Sequence, residues 1–508
     1  MRTEIDTGPP ASCPAPFNLA AHVLARASHH PDRIALQIIG PQQAERWSYA
    51  RLEAAVRGTA GALAAMGLAP GARVLLRLGN SVDFPVAFLG CITAGLVPVP
   101  SSAQLTAAEV TAMARGLAPA LILAAPGIAL PDAGDTPVIG LDTLRGWRDH
   151  PPADYLMGAP ERAAFIIYSS GSGGTPRGVV HAHRAVWARR MMWDDWYGLR
   201  PGDRIMHAGA FNWTYTLGTG LLDPWAAGGT ALVPAEGVPP ERLARLMRRH
   251  DVTIFASSPG LYRKILKSGE RLDLPRLRHA LSAGEKLPET TRTAWRAATG
   301  REIHEALGMS ECSTFVSGAP DRPAPEGTVG HAQTGRRIAV IGADGRPVAR
   351  GVPGTLAVHR RDPGLFLGYL DAPAETAARF SGDWFLTGDS VTMAQDGAIT
   401  YLGREDDMMN AGGLRVSPVE VEAALGAHPE IVECAACEIA VKPDVQVIAA
   451  FYVAAREIPR DELDAFAAAR LARYKRPRIY RRLARLPRGA NNKILRRALR
   501  AGPEAEGR

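Results

Sequence analysis

A loop rich in glycine and hydroxyl residues is the part of the sequence best suited to chemistry on a charged group. Residues 163–168 form an apolar run of strand length, and the loop follows them directly. Glycines let the backbone turn several N–H groups toward one point, and hydroxyl side chains add further donors. Together with the fixed charge of Arg177, these donors predict a polyphosphate site. The loop residues are Ser169, Ser170, Gly171, Ser172, Gly173, Gly174 and Thr175.

Two familiar phosphate-binding loops do not fit this stretch. A Walker-type loop needs a lysine followed directly by Ser or Thr after its last glycine, whereas here Arg177 precedes Gly178 and Val179. A dinucleotide-binding fingerprint that starts at Gly171 requires a third glycine where Pro176 stands. An ordinary surface turn stays open as an alternative for the stretch taken alone.

Alternating segments of helix and strand length must position this loop. The alternation favours parallel sheets with covering helices, and its recurrence after the loop is expected for a doubly wound fold. The predicted helices are 17–30, 49–66, 81–94, 106–116, 183–197, 242–250 and 261–267. The predicted strands are 35–39, 73–78, 97–100, 120–125, 204–209, 229–233, 252–256 and 277–282. Residues 151–160 are predicted to be a surface linker that leads into the loop.

Composition bounds the class of protein. A length of 508 residues favours at least two domains, and 46% hydrophobic with 22% charged residues is typical of a soluble globular protein. The net charge of +8 comes mainly from scattered arginines, so a nucleic-acid stripe is not localised except near the C-terminus. Anionic small molecules explain a basic surface equally well.

Cysteine usage and the N-terminus predict a cytoplasmic location. Five cysteines, an odd count in a long chain, do not form a disulfide framework and fit a reducing compartment. Cys434 and Cys437 have no second Cys or His pair nearby, so we interpret them as buried structural thiols. The N-terminus has acids and prolines where a signal peptide needs an apolar run, and the most apolar window, 84–100, is too short to span a bilayer.

The loop resembles the phosphate-binding loop of the adenylate-forming superfamily, which includes the acyl-CoA synthetases. The usual form is Tyr-Thr-Ser-Gly-Thr-Thr-Gly-x-Pro-Lys-Gly-Val. This chain has Ser169 for the first Thr, Ser172 and Gly173 for the Thr pair, and Arg177 for the Lys. The Arg keeps the charge with a different geometry.

Further motifs of the same superfamily follow in order. Residues 305–312 resemble Tyr-Gly-x-Thr-Glu, with Leu307 at the tyrosine and Ser310 at the threonine, and Glu311 offers the carboxylate oxygen that Mg²⁺ prefers. Residues 384–389 match Trp-x-x-Thr-Gly-Asp, whose Asp binds the ribose hydroxyls. The resemblance implies ATP contacts, beyond the loop, from Gly284, Glu285, Lys286, Glu305, Ala306, Leu307, Gly308, Met309, Asp389 and Arg404.

A small C-terminal domain is implied by the remaining motifs. Asp406 matches the hinge, so we expect an N-terminal domain over 1–405 and a mobile α+β domain over 406–508. Residues 486–500 resemble the segment that carries the catalytic lysine, here Lys493, with Asn492 at the usual glycine. A compact charge on a flexible stem can reach both carboxylate and α-phosphate. The resemblance implies CoA contacts from Gly412, Gly413, Leu414 and Arg415.

The segment 210–228 mixes aromatic and small residues and, taken alone, reads as plain core. In the superfamily it forms one wall of the acyl pocket, so the resemblance makes Trp213, Tyr215 and Gly218 candidate substrate contacts. The segment is more similar to medium-chain and benzoate-type CoA ligases than to long-chain ligases. We therefore expect an aryl or short-to-medium-chain acid as substrate.

The resemblance covers about 17–500 and implies an acid–thiol ligase. We then expect an α/β fold with doubly wound sheets and a small β-barrel-like portion. We expect the enzyme to form acyl-AMP from an acid and ATP with Mg²⁺, and to transfer the acyl group to CoA. Lys493, Arg177 and Ser310 are the expected catalytic residues, and Glu311 the metal ligand. We expect a monomer or homodimer. Two alternatives stay open: loading of a carrier-protein phosphopantetheine, or a non-enzymatic protein whose basic tail binds nucleic acid or membrane.

Overall fold

The computed structural model of the chain describes residues 2–169, 176–267, 272–411, 414–442, 445–489 and 493–501. Its largest sheet has nine strands and is parallel through six central neighbours, with antiparallel strands at both edges. In spatial order these strands are His331–Ala332, Ser313–Ser317, Ile303–Met309, His279–Ala283, Ile254–Ser257, Arg204–His207, Thr230–Pro234, Ile34–Ile39 and Ala44–Ser48.

A second, four-stranded sheet is wholly parallel, as the alternation of elements predicted. In spatial order its strands are Val97–Pro100, Arg73–Arg77, Leu121–Ala124 and Val138–Gly140. The central strands of both sheets are almost completely buried, which explains their continuous apolar sequences. The mixed α/β class with a parallel sheet core is therefore confirmed.

Helices cover these sheets and begin at recognisable caps. The helix Ala107–Leu117 starts at a capping box in which Thr106 and Glu109 bond each other's backbone N–H groups, and the helix Tyr49–Ala65 starts at the hydroxyl of Ser48. The other helices before residue 400 are Leu19–Leu24, Asp83–Thr93, Leu141–Gly146, Arg184–Ala188, Thr214–Leu217, Asp223–Ala227, Pro240–Arg249, Pro259–Leu266, Glu289–Thr299 and Pro373–Ala378. Within the described residues, the helices lack the length and continuous apolar character that a bilayer crossing requires.

The strand before the glycine loop pairs with the strand after it. Ala163–Ser169 and Arg177–Ala182 are antiparallel neighbours, and Gly368–Tyr369 pairs with the second of them. The sequence predicted the first strand but not the second, whose Val179 and Val180 pair with Ile167 and Ile166. The helix predicted over 183–197 is shorter in the structure, because Arg184–Ala188 is helical and a separate π-helical turn covers Trp193–Tyr197.

A six-stranded antiparallel sheet corresponds to the portion that the sequence predicted as barrel-like. Among the described residues its hydrogen bonds form an open sheet rather than a closed barrel. Its strands are Ile5–Asp6, Arg337–Ile341, Gly354–His359, Trp384–Met393, Phe380–Ser381 and Ile399–Arg404. The pairing of the last two long strands places Asp389 opposite Arg404.

The C-terminal part has an apolar core of its own, which includes Met409, Val421, Leu425, Tyr452 and Leu463. This α+β part begins after a 3₁₀ turn at Glu405–Asp407. The strands are Met409–Ala411, Leu414–Val416, Glu433–Lys442, Val445–Val453 and Ile479–Arg482. The helices are Pro418–Gly426, Arg460–Ala468 and Arg496–Ala501. The exact boundary at 405/406 and the mobility of this domain stay predictions.

The two cysteines of the C-x-x-C sequence lie on one strand and belong to different apolar clusters. Cys434 packs against the cluster beneath the helix Pro418–Gly426, and Cys437 belongs to the cluster on the other face of the sheet. Both are free thiols, and burial raises the pKa of Cys437 to about 11. Their placement agrees with structural thiols.

Candidate functional site

The turn after the strand His279–Ala283 brings two predicted regions together. Gly284 has a φ of 95°, and a Cβ added there would lie 2.6 Å from the ring of Trp213. Trp213 therefore packs directly on the backbone of the turn predicted to cover adenine. The position at the carboxyl end of a parallel strand is where open α/β sheets bind ligands.

Two residues predicted to contact ATP bind each other in this structure. Lys286 Nζ lies 3.0 Å from Glu305 Oε2, and the backbone N–H of Leu287 donates to Glu305 Oε1 at 2.8 Å. Arg292 also donates to Oε2 at 3.3 Å. The buried Glu305 carboxylate thus holds the 284–287 turn in place, and the charges of Lys286 and Glu305 are directed at each other rather than into open space.

The residues of the 305–311 motif differ in how far they are buried. Ala306 is buried in a core cluster, and Leu307 and Met309 pack against another apolar cluster. A Cβ at Gly308 would lie 2.2 Å from the carbonyl oxygen of Ser313, so this position requires glycine. Ser310, in the turn that follows, is half-buried. Any contact of Ala306 with a ligand would have to come from its backbone.

Asp389 and Arg404 form a buried charge pair on adjacent strands. Arg404 Nη1 donates to Asp389 Oδ1 at 3.2 Å and to the Thr387 carbonyl at 2.9 Å. Burial raises the pKa of the Asp389 carboxyl, and the charges of Arg404 and Lys493 oppose this rise. The Arg404 contact uses only Oδ1, so Asp389 Oδ2 can accept from hydroxyl donors.

Glu311 presents one oxygen that suits a metal ion. Its Oε1 accepts the Tyr369 hydroxyl at 2.7 Å, while its Oε2 accepts no hydrogen bond from the described residues. Burial, together with Glu311 itself, raises the pKa of Tyr369, so this tyrosine stays a donor. The described residues contain no cluster of three His, Cys, Asp or Glu ligands. A single carboxylate fits Mg²⁺ that takes its other ligands from water and phosphate oxygens.

The guanidinium of Arg177 lies beside the ring of Tyr369. Its guanidinium carbon is 5.3 Å from the centre of the Tyr369 ring, and its Nε lies 2.8 Å from Glu375 Oε2. The pairing of Ser169 with Arg177 places both at the loop end of the hairpin. The predicted loop residues 170–175 lie outside the described part of the chain, so their contacts stay predictions.

The segment predicted to wall the acyl pocket is packed into the core more than its predicted role suggests. Tyr215 is buried and its hydroxyl donates to the Leu281 carbonyl at 3.1 Å, while its ring packs edge-on against Trp213. The hydroxyl of Tyr215 is therefore committed to the backbone. The space beside Gly218 is also occupied, because a Cβ at that position would lie 2.1 Å from Arg189 Cζ.

Arg189 and Asp223 are site residues that the sequence reasoning missed. Arg189 donates to the Asp223 carboxylate through Nε at 3.0 Å and through Nη2 at 2.7 Å. One signal could have found the pair, since Asp223 stands in an otherwise apolar run, Gly-Leu-Leu-Asp-Pro-Trp. A charge in such a run is rarely buried unless it is paired.

Lys493 is close enough to two residues predicted to bind ATP to influence their carboxyl groups. Its charge acts on the carboxyls of both Asp389 and Glu285 and opposes the rise in their pKa that burial causes. The side chain is exposed, and its backbone carbonyl accepts the N–H of Gly489 at 2.9 Å. An exposed ammonium near a buried carboxylate is free to reorient toward an incoming anion.

Ion pairs link the C-terminal domain to the large domain close to Lys493. Arg263 Nη2 lies 3.0 Å from Glu433 Oε1, and Arg488 contacts both Glu433 at 3.2 Å and Glu285 at 3.5 Å. Asp406 lies at the junction, where its carbonyl accepts Arg500 at 3.3 Å. Leu414 and Arg415 belong to the strand Leu414–Val416, and Gly412 and Gly413 lie outside the described residues.

Several arginines of the C-terminal segment bind other groups of the protein. Arg496 donates to Glu422 at 2.7 Å, and Arg482 donates to the Ala454 carbonyl at 2.9 Å. Arg500 also pairs with Asp407 at 3.0 Å. These bonds use charges that the alternative of a nucleic-acid-binding tail would need to display.

Comparisons with known proteins place these residues in a family. The family model "AMP-binding enzyme" matches residues 23–370, and "AMP-binding enzyme C-terminal domain" matches residues 420–493. The chain is 32% identical to a benzoate–CoA ligase of Thauera aromatica over 86% of its own length and 87% of that protein. It is 31% identical to a 3-hydroxybenzoate–CoA ligase of Aromatoleum sp. (strain CIB) over 90% of its length and 92% of that protein.

Solved structures agree with the sequence matches. A benzoate CoA ligase from Burkholderia xenovorans LB400 superposes with a TM-score of 0.85 at 29% identity, over 95% of this chain and all of that chain (100%). The resemblance that the motifs indicated is thus confirmed for both domains. The chain belongs to the family of AMP-binding enzymes and carries the family's large domain together with its C-terminal domain.

Proposed function

We propose that the protein is an AMP-forming acid–CoA ligase whose catalytic cleft lies between the large and the C-terminal domain. It activates a carboxylic acid with ATP and passes the acyl group to the thiol of CoA. The observation that carries this proposal is the convergence of Asp389, Arg404 and Lys493, from separate parts of the chain, at one cleft. The family membership and the ligase activity in the names of its relatives support it.

The difficulty of the first step is charge repulsion. The acid's carboxylate must attack the α-phosphate of ATP, and both groups are negative. Lys493 supplies a mobile ammonium on one side of the cleft, and Arg177 supplies a guanidinium beside Tyr369 on the other. Aligning the two reactants between these charges lowers the barrier by positioning and by charge neutralisation.

The metal site is Glu311, with Tyr369 fixing one of its oxygens. Glu311 would hold Mg²⁺ there, and the ion would supply positive charge for the phosphates and so make pyrophosphate a better leaving group. Tyr369 also carries the Arg177 guanidinium on its ring, so one aromatic side chain orients both the metal ligand and a phosphate-binding charge. Ser310 adds a hydroxyl donor for phosphate in the same turn.

The nucleotide is held by the remaining predicted residues. Asp389 offers Oδ2 to the ribose hydroxyls while Arg404 keeps its other oxygen occupied. The turn 284–286 covers adenine, with Trp213 packed behind Gly284. We expect the loop 169–175 to bind the phosphates, and 412–415 to contact CoA once the domain of 406–508 turns about Asp406. This second conformation is the one in which the thioester forms.

The acid is an aryl or short-to-medium-chain carboxylic acid. Trp213 and Tyr215 lie edge to face with ring centres 5.2 Å apart, and we expect these two rings to limit the depth of the acyl pocket. The names of the two relatives, benzoate–CoA ligase and 3-hydroxybenzoate–CoA ligase, favour aromatic acids. We also propose a cytoplasmic enzyme, where ATP and CoA are available, that acts as a monomer or homodimer.

The decisive experiment is acid-dependent exchange of labelled pyrophosphate into ATP. The panel contains benzoate, butyrate, hexanoate, octanoate and palmitate, and thioester formation with free CoA is followed by chromatography. We expect exchange with benzoate or with an acid of up to about ten carbons, and complete conversion when CoA is added. Exchange with none of these acids would refute the ligase, and a preference for palmitate would refute the small pocket.

A further inference from the structure

A cavity of about 20 Å³ lies between the segment proposed to wall the acyl pocket and the start of the strand Ser313–Ser317. Leu217, Gly218 and Leu222 line one side of it, and Ser313 and Gly364 line the other. A volume of this size accommodates about one water-sized group. It is too small for an aromatic ring or an alkyl chain, so it can receive only the end of a bound acid.

The guanidinium of Arg189 forms a polar wall of this cavity. Arg189 is only 8% exposed, and Asp223 and Tyr197 accept hydrogen bonds from its Nη2 at 2.7 and 3.0 Å. Burial lowers the pKa of Arg189, but the Asp223 carboxylate outweighs this effect and raises the pKa, so the guanidinium stays charged. The side chain is therefore held rigidly in one orientation.

One N–H of Arg189 has no acceptor among the described residues. Nη1 carries two hydrogens, and the acceptor recorded for it is Ser313 Oγ at 2.6 Å. Ser313 itself has a φ of 60°, a left-handed conformation that non-glycine residues rarely adopt. The second Nη1 hydrogen is left for a group that enters the cavity.

His181 supplies a second unpaired polar atom. It is 3% exposed, lines the same cavity and stacks on Phe165 with ring centres 4.6 Å apart. Its Nε2 is buried without a hydrogen-bond partner in the described structure. Burial, with the nearby charges of Arg189 and Arg184, lowers the pKa of His181 to about 3, so the ring is neutral. Its Nε2 accepts a hydrogen bond in the tautomer that carries the proton on Nδ1.

The charges around the cavity and its unpaired polar atoms define which chemical group can bind there. Asp223 already neutralises Arg189, so an additional anion would meet a pair without net charge and pay for its own desolvation. A neutral hydroxyl can accept from Arg189 Nη1 and donate to His181 Nε2 within a space of this size. An apolar group would leave both buried atoms unsatisfied.

We propose that this cavity is a polar subsite for a hydroxyl group on the end of the acid remote from its carboxylate, with Arg189 as donor and His181 as acceptor. The inference rests on the proposed ligase activity and narrows its substrate class to hydroxylated acids. Arg189 is then a specificity-determining residue. Arg189 would affect which acid is bound, through a contact at the end of the acid that is remote from the reacting carboxylate.

The first test uses the unmodified enzyme with pairs of acids that differ by one hydroxyl. The pairs are benzoate with 3- and 4-hydroxybenzoate, and hexanoate with 6-hydroxyhexanoate. We expect at least one hydroxylated acid to exceed its parent by about 10- to 100-fold in kcat/KM for pyrophosphate release. If every parent equals or exceeds its hydroxylated partner, the cavity holds a structural water only and the proposal is overturned. If no acid of either kind reacts, the ligase activity itself has failed.

The second test assigns the selectivity to Arg189. Arg189→Lys keeps a charge beside Asp223 but loses the planar fork, and the ratio between hydroxylated and parent acid should fall to below about 3. Arg278→Lys is the matched control, because Arg278 pairs with Asp203 at 2.6 Å but does not line the cavity. The control should keep the ratio. An equal loss of activity toward both acids in Arg189→Lys would show a structural role and overturn the assignment.

Discussion

At the scale of single residues, the site depends on a few charges that are fixed and one that is free. Asp389, Arg404 and Glu311 are buried or half-buried and hydrogen-bonded by their neighbours. Lys493 is exposed, and its charge still influences the carboxyl of Asp389. In the proposed mechanism, the fixed residues bind the nucleotide and the exposed ammonium of Lys493 meets the charge that develops between the two anions.

Removing the Lys493 charge should stop the first half-reaction. In Lys493→Ala we expect pyrophosphate release to fall about 10²- to 10³-fold, because no other side chain replaces an ammonium placed on developing charge. Thioester formation from supplied acyl-AMP should be kept. Lys475→Ala is the matched control, since Lys475 pairs with Glu420 inside the small domain. Equal loss of both half-reactions in Lys493→Ala would contradict the role.

At the scale of elements, glycine positions determine how closely neighbouring segments approach. Gly284 admits the Trp213 ring, Gly308 admits the strand that follows it, and Gly218 admits the Arg189 guanidinium. The contacts of Gly284 and Gly218 bring together segments far apart in sequence, whereas that of Gly308 is made with the next strand of the chain. The site is therefore sensitive to added volume in places that carry no chemistry.

The two glycines Gly218 and Gly116 should respond to alanine in opposite ways. A Cβ at Gly218 would lie 2.1 Å from Arg189 Cζ, so Gly218→Ala should destabilise the protein by about 1–3 kcal/mol. Gly116 is in the helix Ala107–Leu117 with nothing within 4 Å of an added Cβ, so Gly116→Ala should stabilise it by about 0.5–1 kcal/mol. Urea unfolding measures both. A Gly218→Ala protein as stable as the original would contradict the packing.

The ion pairs between the domains should favour the first half-reaction. Glu433 binds Arg263 of the large domain and also Arg488, which itself contacts Glu285 of the large domain. These pairs are partly exposed, so each contributes on the order of 0.5–1 kcal/mol. In Glu433→Gln we expect pyrophosphate release to slow about 2- to 5-fold, with thioester formation from acyl-AMP unchanged. Glu430→Gln is the control, because Glu430 pairs with Arg456 within the small domain. If thioester formation from acyl-AMP also slowed in Glu433→Gln, the ion pairs would not specifically favour the conformation of the first half-reaction.

At the scale of the whole molecule, two chain parts with separate cores meet at the proposed catalytic cleft. The large part has two parallel-sheet layers, and the small part packs its own core around Val421 and Leu463. The segments that carry Asp389 and Lys493 belong to different parts, so the cleft exists only when the parts dock. Folding and docking are then distinct requirements for activity.

Buried neutral histidines should make the protein sensitive to acid. Burial lowers the pKa to about 3 for His181, His183, His207 and His279, and to about 4 for His304. Below the unfolded value of about 6.5 the unfolded chain binds more protons than the folded one, so stability falls as pH falls, by up to about 1.4 kcal/mol per histidine per pH unit. We expect unfolding between about pH 5 and 6, where a domain's margin of about 5–15 kcal/mol is used up.

Circular dichroism between pH 8 and pH 4 measures this transition. His304→Leu should move its midpoint to lower pH by a few tenths of a unit, because one proton-binding difference is removed. His30→Leu is the control, since His30 is exposed. If the midpoint pH of unfolding is the same in His304→Leu as in the original protein, other groups control the pH dependence.

The sequence by itself determined the fold class, the family and the types of residue at the site. Apolar runs of strand length and the motifs around Glu311, Asp389 and Lys493 are local features, so they can be read without knowing what packs against them. Helix ends were less predictable. Tertiary packing replaced most of the helix predicted over 183–197 by a short helix and a π-helical turn.

Only the tertiary structure decided how the site is filled. The room expected beside Gly218 is occupied by Arg189, the Tyr215 hydroxyl turns to the Leu281 backbone, and Lys286 binds Glu305. Each contact joins residues 19 to 66 positions apart in the chain. Such distances follow from how sheets and helices pack, and a local pattern of residue types carries no information about them.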